Sequence, residues 1–200
     1  MKLKTLFETP QLIELDPLEI KNGIKICLAN VNTAKVIEKF DNHVALYQLM
    51  VSGLGYYFIY DDSQHIQDRV EYFVRYRELE FDKTLLPTKT IRQVMLWRHT
   101  TSFWSAGAAQ KIFWDILFQK YKCLASDSQQ SADGKKFWST AVGIALGKGL
   151  VVRIINTNDK TFIDVKTKSE FAEKIPTTWG TGSWFQRMIV TIFEEPSKKV

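Results

Sequence analysis

Residues 97–156 constrain the fold of this chain more than any other stretch. They begin with the end of an apolar strand and continue through a small-residue turn, a helical segment and a short apolar strand that ends at Ser126-Asp127. A polar loop, a second helical segment closed by glycines and one more strand complete the stretch. This βαβαβ pattern predicts a sheet with crossover helices, and the chemistry of such folds usually lies at the ends of the strands.

The chain before this stretch predicts an antiparallel meander, because apolar and polar residues partly alternate. In residues 69–81, Val70, Tyr72, Val74 and Tyr76 fall on one face, while Phe73 breaks the pattern on the other. We therefore expect that strand to have one packed face and one solvated face. The predicted strands of the meander are residues 43–51, 56–60, 69–81 and 92–98, the last of them central.

The first 42 residues carry weaker signals. Two prolines suit an extended arm over residues 1–16. The dipeptide Asn22-Gly23 predicts a turn before a short strand at residues 24–29, and the polar residues that follow suit the start of a helix over residues 34–40.

Two helices and several strands are predicted in the second half of the chain. The first helix ends near Lys120 and has an apolar face at helical spacing, formed by Ala109, Ile112, Phe113, Ile116 and Leu117. The second helix covers residues 134–146, with Asp133 as its cap and with Gly147 and Gly149 closing it. The predicted strands are residues 121–126, 150–155, 161–165 and 184–193, with one or two helical turns at residues 169–174.

Length and composition define the class of protein. Two hundred residues, 45% of them hydrophobic, can build one core, so we expect a single domain. The net charge of +5 allows acidic partners such as nucleotides or nucleic acid without requiring them. The sequence has no apolar run of membrane-spanning or signal-peptide length, which predicts a cytoplasmic protein without a membrane partner. Cys27 and Cys123 are far apart and indicate neither a disulfide framework nor a metal site.

The first candidate site is the small-residue turn formed by Ser105, Ala106, Gly107, Ala108 and Ala109. Backbone N–H groups at a helix start are free to bind a phosphate, and small side chains let a ligand approach closely. The alternative interpretation is that these small residues only allow neighbouring tryptophans to pack.

The second candidate site is the strand end at Ser126 and Asp127. The Asp127 carboxylate could orient or deprotonate a substrate, and the hydroxyl of Ser126 or Tyr121 could return a proton. A loop aspartate more often only caps a turn, which is the alternative. His99 follows the strand that contains Trp97 and titrates near neutral pH, although a lone histidine is more often structural.

Charged residues elsewhere also have two interpretations. Glu71, Glu78 and Glu80 sit on or near a predicted strand, and any one could serve as a base, or all could be solvated charges paired with Arg75 and Arg77. Cations and aromatic residues also interleave along the chain. They could form a nucleic-acid surface, or they could be an aromatic core with scattered solvated cations.

The order of these elements resembles the GNAT-type N-acyltransferase fold over residues 43–193, with residues 1–42 as an arm and 194–200 as a tail. That family carries Gln/Arg-x-x-Gly-x-Gly/Ala before its long helix, and the amides of this turn hold the coenzyme A pyrophosphate. Gly107 and Ala109 match the pattern, whereas Trp104 stands where Gln or Arg is expected. The resemblance implies an α/β (α+β) mixed sheet that binds acetyl-CoA or another acyl-CoA, with Arg98 at the end of a strand beside the pantetheine.

Residues 126–138 also resemble a segment of GNAT-like proteins encoded by tailed bacteriophages. The resemblance implies an acyl-CoA-dependent N-acyltransferase that acts on an unknown amine acceptor. In such an enzyme Asp127 would orient or deprotonate the amine, and Ser126 or Tyr121 would return a proton to the departing thiolate. The alternative is a non-catalytic, phage-encoded binding protein on the same scaffold, which engages a host protein or nucleic acid in the host cytoplasm. Trp104 favours the binding protein, and a structural protein associated with the virion is a third alternative.

Overall fold

Nine strands form one continuous mixed sheet in the computed structural model, which describes residues 17–66, 68–82, 84–86, 90–98, 107–128, 130–179 and 188–195. The strands are β1 (Lys35–Lys39), β2 (Val44–Val51), β3 (Leu54–Asp61), β4 (Val70–Leu79), β5 (Thr90–Arg98), β6 (Cys123–Ala125), β7 (Val151–Asn156), β8 (Thr161–Val165) and β9 (Met188–Phe193). Their order across the sheet is β1-β2-β3-β4-β5-β6-β9-β7-β8. Two antiparallel runs of strands, β1 to β5 and β6-β9-β7-β8, are thus joined by the parallel pair β5 and β6.

Helices cover both faces of this sheet, which makes the protein a mixed α/β structure. Helix α1 is Pro17–Asn30, α3 is Ala132–Gly147 and α4 is Lys168–Thr178. Helix α2 runs over residues 108–121 and contains a π-helical middle, Lys111–Phe118. Helices α2, α3 and α4 pack on one face, which we call the front face. Helix α1 and the segment 81–86 pack on the opposite, back face.

The meander predicted from the alternating pattern is confirmed. Strands β2, β3, β4 and β5 lie side by side in chain order, and β5 is central. Ser52 and Gly53 form the turn between β2 and β3, both with positive φ (51° and 77°), as expected of a two-residue hairpin. Strands β7 and β8 likewise form the predicted hairpin.

The predictions for residues 24–29 and 34–40 are wrong, and the two segments have exchanged secondary structure. The first lies inside helix α1, which begins with Pro17 at a position that suits proline, and the second contains strand β1. Gly23 does not form a turn but lies buried in α1, where a Cβ atom would come within 2.6 Å of Phe73 Cζ. The glycine therefore serves close helix–sheet packing.

The expectation that β4 has one solvated face is also wrong. Phe73, which broke the alternation, is fully buried because α1 covers the back face at this point. An ion pair of 3.2 Å between Arg75 and Glu19 ties the same strand to the same helix. Phe73 thus interrupts the polar face of β4 because helix α1 covers that face.

Alanine at Gly23 is expected to lower the free energy of unfolding by about 1–3 kcal/mol, the usual range for overpacking a core. The added methyl group must displace Phe73, and this cost exceeds the helix propensity that alanine adds. Gly147 in α3 is the matched control, because no described atom lies within 4 Å of the position that an alanine methyl group would take there. Alanine at Gly147 should be neutral or stabilising. Urea unfolding of both variants measures the difference, and equal effects would contradict the packing argument.

Helix α2 buries a wider face than a regular α-helix would. Ile112, Phe113 and Leu117 are buried as predicted, but Trp114 and Phe118 are buried too. The π-helical middle explains this, since its i→i+5 repeat brings Phe113 and Phe118 onto the same side. The widened face packs against α3 through Phe113 and Trp138, whose ring centroids are 5.3 Å apart.

Several predicted element ends are corrected by the structure. Ser131, not Asp133, caps α3, because its hydroxyl accepts the N–H of Gly134 at 3.1 Å. Tyr121 belongs to the last turn of α2 and not to strand β6. Helix α4 is longer than the predicted residues 169–174, and Thr167 caps it. Gly149 adopts the predicted left-handed conformation (φ 72°). The predicted arm at residues 1–16 lies outside the described residues, as do residues 184–187 of the predicted closing strand and residues 196–200 of the tail.

Candidate functional site

The sheet opens between β5 and β6. The two strands pair in parallel only at Ile91 with Leu124 and at Arg92 with Ala125. Strand β5 then continues to Arg98, whereas β6 ends at Ala125. Beyond Arg92, the β6 side of β5 therefore has no strand partner among the described residues. We call this length of β5 the opening, which extends roughly 20 Å at about 3.3 Å per residue. Its narrow end is where the two strands stop pairing, and its wide end is at Arg98.

The N-terminus of α2 faces the wide end of the opening. Because β5 and β6 are parallel and α2 ends directly before β6, the helix runs back towards the start of β6, with its N-terminus towards the C-terminal end of β5. Gly107 is the residue before the helix, with φ 76°, and as a glycine it has no side chain to bond the first N–H groups. No described atom lies within 4 Å of the position that a Cβ atom on Gly107 would take. The N–H groups of Ala108 and Ala109 belong to the first turn, which has no partners within a helix.

The other predicted residues of this turn are not described. Ser105, Ala106, Trp104 and His99 lie outside the described residues, and Arg98 is the last residue of β5. The part of the predicted site that the structure describes is therefore Gly107, Ala108 and Ala109.

Ser126 and Asp127 lie on the other side of the opening and build a turn. Ser126 is fully buried, and its hydroxyl donates to the Asp127 carbonyl at 2.8 Å while accepting the N–H of Val190 at 2.9 Å. The Asp127 carboxylate accepts the N–H of Ser128 at 2.7 Å, and Gln130 donates to the Asp127 carbonyl at 3.2 Å. The Ser126 hydroxyl thus replaces a backbone acceptor for β9.

Tyr121 lies at the opposite end of β6 from Ser126 and has a different partner. Its hydroxyl donates to Glu78 at 2.8 Å. Burial, followed by this hydrogen bond, raises the pKa of Tyr121 above its ordinary value. A phenol with a raised pKa holds its proton tightly, so Tyr121 is better suited to orient Glu78 than to protonate a thiolate.

Glu78 lies one strand away from the narrow end of the opening. It is opposite Ile91 across β4 and β5, and Ile91 in turn pairs with Leu124 of β6. Neighbouring strands are about 4.8 Å apart, so the carboxylate and the point where β5 and β6 separate are close neighbours. Of the three carboxylates considered in the sequence, Glu78 is thus the one next to the narrow end of the opening.

Two more tyrosines lie near Glu78, on β4 and on the neighbouring strand β3. Tyr76 is fully buried and stacks on Tyr57 with ring centroids 5.4 Å apart. Its hydroxyl accepts a hydrogen bond of 3.1 Å from Gln48. We call Glu78, Tyr121, Tyr76, Tyr57 and Gln48 the apex cluster. Sequence reasoning did not select its last three members, although the alternation in β4 already placed Tyr76 and Glu78 on one face.

The cations that could have formed a nucleic-acid surface are partly engaged within the protein. Arg75 pairs with Glu19, and Arg153 forms a bidentate ion pair with Asp164. Lys136 and Arg77 are exposed. Internal pairing therefore accounts for two of the arginines.

The comparisons with known proteins add no relative. No protein-family model matches the chain, and no curated protein or solved structure matches it. Among the described residues, no group of three or more histidine, cysteine or acidic side chains is arranged to hold a metal ion. The helices of the described ranges include none that is both long and apolar enough to cross a membrane.

Proposed function

We propose that this chain has a GNAT-like arrangement and is an acyl-CoA-dependent N-acyltransferase. The strand order supports the arrangement, because β9 inserts between β6 and β7 and leaves β5 and β6 as the parallel pair in the middle of the sheet. The observation that carries the function is the opening itself, together with the N-terminus of α2, which begins after Gly107 and faces the wide end.

The opening suits an extended ligand that ends in phosphates. The unpaired backbone of β5 offers N–H and C=O groups to the amides of a pantetheine arm, as a strand edge does for a peptide. The N–H groups of Ala108 and Ala109, together with the helix dipole, favour a pyrophosphate at the wide end. A ligand bound in this way directs its thioester towards the narrow end, beside the apex cluster.

Within the apex cluster, Glu78 is the proposed base and Tyr121 the residue that positions it. An amine acceptor next to Glu78 loses a proton to the carboxylate as its nitrogen attacks the thioester carbonyl. The new C–N bond forms, the C–S bond breaks, and the electron pair leaves with the sulfur. Holding the amine and the thioester together provides most of the rate, since correct placement removes the entropy cost of a bimolecular encounter.

We expect acetyl-CoA to raise the thermal unfolding midpoint of the purified protein. A ligand at about 100 times its dissociation constant adds roughly 2.7 kcal/mol to the folded state, or about 5–10 °C for a chain of this size. Coenzyme A and longer acyl-CoAs belong in the same measurement. The absence of a shift with all of them would overturn the proposal.

Two substitutions at Gly107 locate the site. Asparagine and aspartate tolerate positive φ better than other residues and have nearly the same shape. Gly107→Asp places a negative charge at the proposed phosphate position and should abolish the shift, whereas Gly107→Asn should retain most of it. Equal shifts in both variants would place the ligand elsewhere.

A non-catalytic binding protein on the same scaffold is the second candidate function. It is favoured by Ser126, whose hydroxyl is fully buried and already used as donor and acceptor. A protein that binds acyl-CoA but releases no free thiol with any amine would support this candidate. A host protein or nucleic acid would then be the partner to seek.

A further inference from the structure

Strand β8 ends the sheet on one side and is open to a further strand. Within the described ranges, β7 is its only partner. Phe162 and Ile163 are 44% and 48% exposed, and as neighbours in a strand they point to opposite faces. This edge therefore presents unpaired backbone groups together with apolar side chains on both faces.

The opposite edge of the sheet has several charges and an irregularity that discourage pairing, whereas β8 is regular and its one charged residue, Asp164, is paired with Arg153. Strand β1 carries Lys35, Glu38 and Lys39, and its pairing with β2 is irregular between Val36 and Glu38. Charges and irregularities of this kind protect edge strands from association. Strand β8, with five residues, is regular along its whole length against β7.

The ring of Phe162 is held in place before any partner arrives. The Arg153 guanidinium lies 3.7 Å from the ring centroid, and Asp164 fixes that guanidinium through two hydrogen bonds of 2.6 and 3.1 Å. Little conformational freedom remains to be lost when a second surface covers the ring, and preorganisation of this kind favours binding.

We propose that β8 pairs antiparallel with β8 of a second copy of this chain, around a two-fold axis at Phe162. A two-fold axis that makes strands antiparallel across an edge is perpendicular to the sheet. The front faces of both copies therefore lie on the same side of the extended sheet. Either Phe162 or Ile163 can then lie at the axis, where it pairs with the same residue of the second copy. The result is a continuous sheet through both copies.

The charges at the ends of β8 select between these two registers. With Ile163 on the axis, Lys160 would face the partner's Lys166, and this repulsion would occur twice. With Phe162 on the axis, Lys160 faces the partner's Asp164 instead, and the two phenylalanine rings meet. Lys160 now lies 3.7 Å from the Asp82 carboxylate, and because its side chain is 69% exposed it can exchange this solvated ion pair for one with the partner's Asp164.

Cysteine cross-linking tests the register directly. The two native cysteines are buried, so they do not compete. Under mild oxidation, Phe162→Cys should give a disulfide-linked dimer, because the two introduced thiols face each other on the axis. Ile163→Cys should not cross-link. Preferential cross-linking of Ile163→Cys, or of neither variant, would overturn the proposal.

Sedimentation velocity across a wide concentration range tests the association of the unmodified chain. We expect a concentration-dependent monomer–dimer equilibrium that Phe162→Lys abolishes and Phe162→Leu largely retains, because two lysines on the axis repel each other. Thermal unfolding checks that both variants are folded. A chain that stays monomeric at every concentration, or a dimer unaffected by Phe162→Lys, would contradict the proposed interface.

Discussion

Replacing Glu78 by glutamine is expected to lower kcat/KM for acyl transfer about 10²–10⁴-fold, the usual contribution of a positioned acid or base. Glutamine keeps the size of the side chain and can still accept the Tyr121 hydrogen bond. It cannot take a proton from the attacking amine. Affinity for acyl-CoA should not change, because Glu78 lies beyond the narrow end of the opening and not along it. The measurement is the release of free thiol from acetyl-CoA with a panel of amines.

Glu80→Gln is the matched control for this experiment. Glu80 is an exposed carboxylate just beyond the end of β4, so the same chemical change there should leave the rate unaltered. Full activity in Glu78→Gln, or an equal loss in both variants, would remove Glu78 from the mechanism. A wild-type protein that binds acetyl-CoA but transfers its acyl group to none of the amines would favour the non-catalytic binding protein.

Local patterns predicted those parts of the fold that depend on neighbours in sequence. The meander and the β7–β8 hairpin follow from alternation and short turns, which involve residues only a few positions apart. The insertion of β9 between β6 and β7 does not follow from local patterns, because β6 and β9 are separated in the chain by the helices α3 and α4. The nearly continuous apolar run of β9 indicates an interior strand but does not tell which two strands lie beside it.

The exchange of helix and strand near the N-terminus has a tertiary cause. Residues 24–29 contain two isoleucines, which favour strands, and they follow Asn22-Gly23, which is a strong turn signal. In the folded chain, that glycine instead lets α1 approach the ring of Phe73. Packing against β4 thus outweighs local propensity, which is weak compared with burial of a helix face.

The candidate site was predictable only in part, for a similar reason. The small-residue turn at Gly107 is a contiguous signal and could be read directly from the sequence. The contact between Glu78 and Tyr121 joins residues 43 positions apart, and it also depends on where the π-helical middle of α2 directs the end of that helix. Alternation places Glu78 on the same face as Tyr76 but does not reveal which side chain of α2 will contact it.

The largest loss of stability is expected for Arg153→Met. The Arg153 guanidinium holds Asp164 through two hydrogen bonds and donates a third, of 2.6 Å, to the Leu85 carbonyl. It also lies between the rings of Phe162 and Phe193. It thereby fixes the segment 81–86 over the back face. Methionine keeps much of the side-chain volume but leaves the carboxylate and the carbonyl without a donor.

We expect Arg153→Met to lower the free energy of unfolding by about 2–4 kcal/mol, below the full cost of breaking a buried ion pair because both side chains keep some exposure. Urea unfolding measures it. If the stranded carboxylate is the main cause, Arg153→Met combined with Asp164→Leu should recover most of the loss, since an apolar pair replaces the unpaired charge. If the Leu85 contact dominates, the double variant should be no more stable than Arg153→Met. A single variant as stable as the wild type would show that Phe162, Phe193 and the segment 81–86 hold together without the arginine.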